Sequence, residues 1–135
     1  MSGLRVMLVD DEPFIRELVE ISLALDPDIS VKSCASGREA LTEVDQWLPD
    51  LILLDVMMPD MDGPQTLTQL RERNGTAGIP VVFMTARAQN RDIVHFLTLG
   101  AVGVIPKPFD PVGLANEVKQ YAAPAAANMG GVGVG

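Results

Sequence analysis

Five short apolar runs recur along the chain, and each is followed by a stretch of helical periodicity. The runs are Leu4–Val9, Ile29–Cys34, Leu51–Leu54, Val81–Met84 and Val102–Ile105. The second is the weakest, because Ser30, Lys32 and Ser33 interrupt it. The others are nearly continuous rather than alternating, as expected of strands covered on both faces of a parallel sheet. Between them, Phe14, Leu18, Ile21 and Leu25 share one helical face. Ser36 and Glu39 have capping-box spacing ahead of Leu41, Val44 and Leu48. Asp62-Gly63-Pro64 opens a third helix with Leu67 and Leu70 inward. Ile93, Phe96, Leu97 and Leu99 mark a fourth, stopped by Gly100. Asp110-Pro111 starts a fifth, with Leu114, Val118 and Tyr121 on one side. Strand-then-helix repeated in this way predicts an α/β fold, a five-stranded parallel sheet with helices on both faces. Right-handed crossovers leave few strand orders, of which 2-1-3-4-5 is the one expected here.

A chain of 135 residues, 47% of them apolar, suits one domain with its own core. The ordered domain is expected over residues 1–121. Residues 122–135, rich in alanine and glycine and without charge, read as a disordered tail. The single cysteine, Cys34, excludes an internal disulfide and reads as a small buried hydrophobe in a reducing cytoplasm. The first apolar run is too short for a signal sequence and ends in acids, and no run approaches a membrane span. The expected location is therefore cytoplasmic. A net charge of −8, from 18 acids and 10 bases, gives a phosphate backbone no basic patch, so no direct nucleic-acid contact is expected.

Ligands of open α/β sheets bind at the carboxyl ends of the strands. Asp10 and Asp11 follow the first run, Asp55 the third, Thr85 the fourth and Lys107 the fifth. Alone, an Asp-Asp pair at a strand end is a solvated turn, Thr85 a strand terminus and Lys107 a surface lysine. Their shared edge is the evidence. Two carboxylates about 4 Å apart repel by roughly 4 kcal/mol at an effective dielectric of about 20, so an ionised cluster calls for a cation. Oxygen donors without His or Cys favour Mg²⁺, Mn²⁺ or Ca²⁺ over zinc, and Mg²⁺ also accepts phosphate oxygens. One aspartate is then left as a nucleophile of the kind that forms an aspartyl phosphate. A lysine and a hydroxyl at neighbouring strand ends suit the phosphoryl oxygens.

Four pieces carry a resemblance to a known family: Val9-Asp10-Asp11-Glu12, the stretch Leu54-Asp55-Val56-Met57-Met58-Pro59-Asp60-Met61-Asp62-Gly63, Met84-Thr85-Ala86, and Lys107-Pro108-Phe109. In these the chain resembles the receiver domains of two-component response regulators, of the CheY-like single-domain kind, over residues 4 to 121. The resemblance implies a flavodoxin-like (βα)5 fold and a phosphoprotein switch. Asp55 is then the phosphoacceptor. Asp11, Asp55 and the Met57 backbone carbonyl ligate Mg²⁺, with Asp10 acting through a metal-bound water. Lys107, Thr85 and the Ala86 N–H hold phosphoryl oxygens, and the Lys107–Pro108 bond is cis. The implied partners are a sensor histidine kinase or phosphotransfer protein as donor and a downstream protein effector as receiver of the signal. Such a domain is no enzyme toward outside substrates and catalyses only its own phosphotransfer and autodephosphorylation.

The chain departs from the family pattern at Val104, where many receivers carry a Tyr or Phe in the fifth strand. A valine has no ring to swing. Pro106 is compatible with a strand only if that strand is an edge. Two other readings use the same residues. A phosphatase of the haloacid-dehalogenase type also uses an aspartyl nucleophile and Mg²⁺, but it asks for a second Asp where Met57 stands. A binding module that kept the fold and lost phosphorylation would tolerate Val104. His95 lies mid-helix away from the acids, and Arg87 stands two residues past Thr85.

Overall fold

The computed structural model describes residues 3–131, with side chains described through residue 123. Strands β1 (Leu4–Val9), β2 (Ile29–Cys34), β3 (Leu51–Asp55), β4 (Val81–Thr85) and β5 (Gly103–Pro106) alternate with helices α1 (Pro13–Leu23), α2 (Gly37–Trp47), α3 (Gly63–Glu72), α4 (Asn90–Thr98) and α5 (Leu114–Gly131). All pairings are parallel and the order is β2-β1-β3-β4-β5, as the sequence predicts. β5 is an edge, which accommodates Pro106 opposite Thr85.

Alternation along the strands divides the core in two. Met7, Val9, Leu54 and Phe83 pack with Val44, Leu67, Leu70 and Phe96 from α2, α3 and α4. Val6, Leu8, Leu53 and Met84 pack with Val19, Leu23, Leu114 and Val118 from α1 and α5. The ends of α3 follow sequence rules closely. Asp62 caps it through Gln65 N at 2.8 Å, and the Gln65 side chain returns the bond to Asp62 N at 3.0 Å. Arg71 on its last turn donates to the carbonyls of Ile79 (2.8 Å) and Gly100 (3.0 Å), tying the C-terminal end of α4 to the α3–β4 loop. Gly100 itself sits at φ 112, the left-handed end expected of it.

Several helical faces differ from the sequence expectation. On α1 the buried residues are Val19, Ser22 and Leu23, whereas Phe14 (70% exposed), Ile21 (58%) and Leu25 (64%) face outward. The helix carries two apolar stripes, and the stripe broken by Ser22 is the inward one. Ser22 is tolerated there because its hydroxyl donates to Leu18 O at 2.8 Å. Leu48 is exposed because it is the left-handed cap of α2 rather than a helical residue. On α4 only Phe96 is buried, packed on Phe83 with ring centroids 5.0 Å apart, while Leu97 and Leu99 are exposed. α5 begins at Leu114, after a turn over Pro111–Gly113, rather than at Pro111. It also runs past Tyr121 to Gly131, into the stretch expected to be a disordered tail. Alanine, the strongest helix former, dominates that extension. Residues 132–135 lie outside the described residues. Cys34 is buried as expected, and burial pushes its thiol up to about 12.

Candidate functional site

The parallel register places the last residues of β1, β3, β4 and β5 along one edge of the sheet. Asp10 follows β1 directly, and its N–H still donates to Cys34 O at 3.1 Å. Its carboxylate is taken up on both sides: Oδ1 accepts from Glu12 N at 2.9 Å and Oδ2 from Lys107 Nζ at 2.9 Å. Arg16 Nη1 donates to the Asp10 backbone carbonyl at 2.8 Å. Asp55 closes β3 and is buried, with Oδ1 accepting from Lys107 Nζ at 3.0 Å. Lys107 is aimed inward because its own N–H continues the β4–β5 ladder, donating to Thr85 O at 2.8 Å. The Lys107–Pro108 bond is cis.

Oxygen atoms of Asp10, Asp11 and Asp55 all lie within 4.8 Å of one another. Thr85, the last residue of β4, is buried, and its hydroxyl oxygen accepts from Arg87 N at 2.9 Å. Above them lies a cleft of about 200 Å³, lined by Asp55, Thr85 and Lys107 and rimmed by the exposed Glu12, Met57, Ala86 and Arg87. A larger groove of about 440 Å³ between α2 and α3, at Arg38, Gln65 and Glu72, has no comparable convergence of acids, lysine and hydroxyl. His95 is on the exposed side of α4 beside Phe96.

The charges are unbalanced. Burial, with the charges of Asp10 and Asp11, raises the Asp55 carboxyl from 3.8 to about 6, against the hydrogen bond and charge of Lys107, which pull it down. Burial works against the ammonium of Lys107, but the hydrogen bonds to Asp10 and Asp55 outweigh it and hold the amine above its ordinary value. One lysine thus bridges two of the three acids. This donor set fits a hard divalent cation. Asp10 has both carboxylate oxygens engaged, while among the described residues no hydrogen bond occupies the Asp11 carboxylate or Asp55 Oδ2. Asp11 and Asp55 thus carry the carboxylate oxygens of the triad that accept no hydrogen bond among the described residues.

Sequence reasoning missed Arg16 and the Glu12 backbone as parts of this site. The available signal was positional: Pro13 starts α1 directly after the acids, and one turn of helix brings residue 16 back over them.

A family model described as the response regulator receiver domain matches residues 6–119. The response regulator Rre1 of a Synechocystis species is 39% identical over 87% of this chain and 51% of its own length. The DNA-binding response regulator MtrA of Mycolicibacterium smegmatis is 36% identical over 85% of this chain and 49% of its own. The chain thus spans about half the length of these curated relatives. Among solved structures, the chemotaxis protein CheY4 of Vibrio cholerae matches with a TM-score of 0.81 and 29% identity, covering 89% of this chain and 99% of that one. The expected absence of nucleic-acid contact finds no support among relatives named as DNA-binding regulators. Among the described residues, no helix is long and apolar enough to cross a membrane.

Proposed function

The chain belongs to the response regulator receiver domain family, and we propose that it works as a phosphorylation switch in which Asp55 takes a phosphoryl group from a histidine on a sensor kinase or phosphotransfer protein. The observation that carries this reading is the single lysine bridging Asp55 and Asp10 inside a triad of acids. A carboxylate oxygen of Asp55 attacks phosphorus, the P–N bond to the donor imidazole breaks, and its electron pair stays on the leaving nitrogen. Lys107 then exchanges a carboxylate contact for a phosphoryl oxygen. Thr85 turns its hydroxyl to a second oxygen, and the Ala86 N–H meets a third. Asp11, Asp55 and the Met57 carbonyl would hold Mg²⁺, with Asp10 acting through water, and the ion would supply the charge neutralisation that three acids and a phosphoryl group need. Hydrolysis of the aspartyl phosphate by water restores Asp55, so the domain acts only on itself. The setting is cytoplasmic and the output goes to a protein effector. Val94, Leu97 and Val102, exposed on and beside α4, offer an apolar contact for one.

The test is intact mass after incubation with acetyl phosphate, with and without Mg²⁺, for the wild type and Asp55→Asn. A Mg²⁺-dependent gain of one phosphoryl group, absent in the variant, is expected. Equal labelling of both proteins, or none in the wild type with either acetyl phosphate or a phosphorylated kinase domain, overturns the reading.

A further inference from the structure

Every polar atom of Asp10 has a partner. The N–H belongs to the strand ladder, one carboxylate oxygen to Glu12 N and the other to Lys107 Nζ. The remaining atom, the backbone carbonyl, accepts from Arg16 Nη1 at 2.8 Å. That choice of partner is informative. A guanidinium forms stronger, charge-assisted bonds with carboxylates than with carbonyls. Asp10, Asp11, Glu12, Glu17 and Glu20 all stand near Arg16 in sequence, yet no ion pair of Arg16 occurs among the described residues. Its charge is directed at a peptide group.

That peptide group joins Asp10 to Asp11. It is planar, so holding its oxygen restrains the N–H and the Cα of Asp11, the atom from which the Asp11 side chain leaves the backbone. We propose that Arg16 is a positioning residue for the divalent-cation site: it locks the Asp10–Asp11 peptide plane and so preorganises Asp11 as a ligand. The inference rests on the reading of the triad as a cation site.

Two effects of removing Arg16 have opposite signs, which makes the idea testable. As a bare positive charge near the triad, the guanidinium opposes a cation, and its loss would tighten binding. As a positioning group it favours the cation, and its loss weakens binding, by about tenfold if it acts like other outer-shell partners of metal ligands. The measurement is calorimetric titration of Mg²⁺ at fixed ionic strength into wild type, Arg16→Met, Arg16→Lys and Asp11→Asn, with melting curves in EDTA alongside. The expected result is weaker binding in Arg16→Met and partial recovery in Arg16→Lys, which keeps a charged donor on a long side chain at that position. If Arg16→Met does not fold, Arg16→Lys against wild type carries the test through an intermediate loss. Equal or tighter binding in Arg16→Met, or in Arg16→Lys where Arg16→Met does not fold, overturns the proposal, including the case where only the EDTA melting point falls. Wild type that binds no Mg²⁺, or binds it as well as Asp11→Asn does, overturns the cation site itself.

Discussion

Lys107 Nζ donates to Asp55 Oδ1 across 3.0 Å, so the end of β5 is bonded to the end of β3 although β4 lies between them. The same nitrogen reaches Asp10 Oδ2, and among the described residues no second lysine shares the load. Lys107→Met should therefore leave the sheet intact and slow labelling by acetyl phosphate about a hundredfold, the usual cost of losing one preorganised donor to a developing anion. The initial rate at saturating Mg²⁺ checks it, and a loss below tenfold would remove Lys107 from the transfer step.

Asp55 makes the folded chain less stable at neutral pH. Its carboxyl titrates at about 6 when folded against 3.8 ordinarily, chiefly through burial. Between those values the folded state binds the extra proton, so stability falls as pH rises through the window and levels off above it. Asp55→Asn lacks this term. In EDTA its melting temperature should pull ahead of wild type as pH climbs from about 4 to above 6, then keep a constant lead. Saturating Mg²⁺ should shrink that lead, since a ligand of the native state stabilises it. Parallel melting curves at every pH would contradict the raised carboxyl.

Thr85 holds the start of the β4–α4 loop by accepting from Arg87 N at 2.9 Å. A hydroxyl turned toward a phosphoryl oxygen gives up that geometry. Thr85→Ala should expose the Arg87 amide to faster hydrogen exchange without phosphorylation, and Thr85→Ser should restore protection. Identical exchange in all three proteins would mean that this loop is held by something else, such as the Arg87–Asp92 pair at 3.9 Å.

The sheet was legible because β3 and β4, with most of β1, are buried on both faces and therefore read as apolar runs, and the strand-end residues followed from it. Helical faces were less so. Phe14, Leu18 and Ile21 of α1, with Leu25 just past its end, form a better apolar stripe than Ile15, Val19, Ser22 and Leu23, yet the second faces the sheet. Periodicity reports that a stripe exists, not which stripe is covered, and a self-satisfied serine disguises the inward one. Phe96 stood out in the helical pattern, but the sequence did not reveal that it is the one buried residue of α4, packed on Phe83. Arg16 stayed hidden because it acts through a backbone carbonyl, which no side-chain motif records.

The start of α3 is packed so closely on the end of β3 that one methyl group should separate fold from function. Gly63 N donates to Val56 O at 2.9 Å, and a Cβ at Gly63 would lie 2.4 Å from Asp55 O, 2.9 Å from Val56 Cα and 3.0 Å from the Phe83 ring. Two of those neighbours are backbone, so the methyl cannot be absorbed by a rotamer change. β3 and α3 must part, and Asp55 moves with its own carbonyl. Gly63→Ala should cost about 1–3 kcal/mol, the range for overpacking a dense interior. It should also weaken Mg²⁺-dependent labelling among the molecules that remain folded, because Asp55 is displaced from Lys107 and Asp11. Gly75→Ala and Gly78→Ala are the controls: nothing lies within 4 Å of either added methyl, so both should melt and label as wild type does. Urea denaturation supplies the stability difference, and labelling normalised to folded protein supplies the other. A destabilised Gly63→Ala that labels normally would show that Asp55 keeps its place independently of the α3 junction.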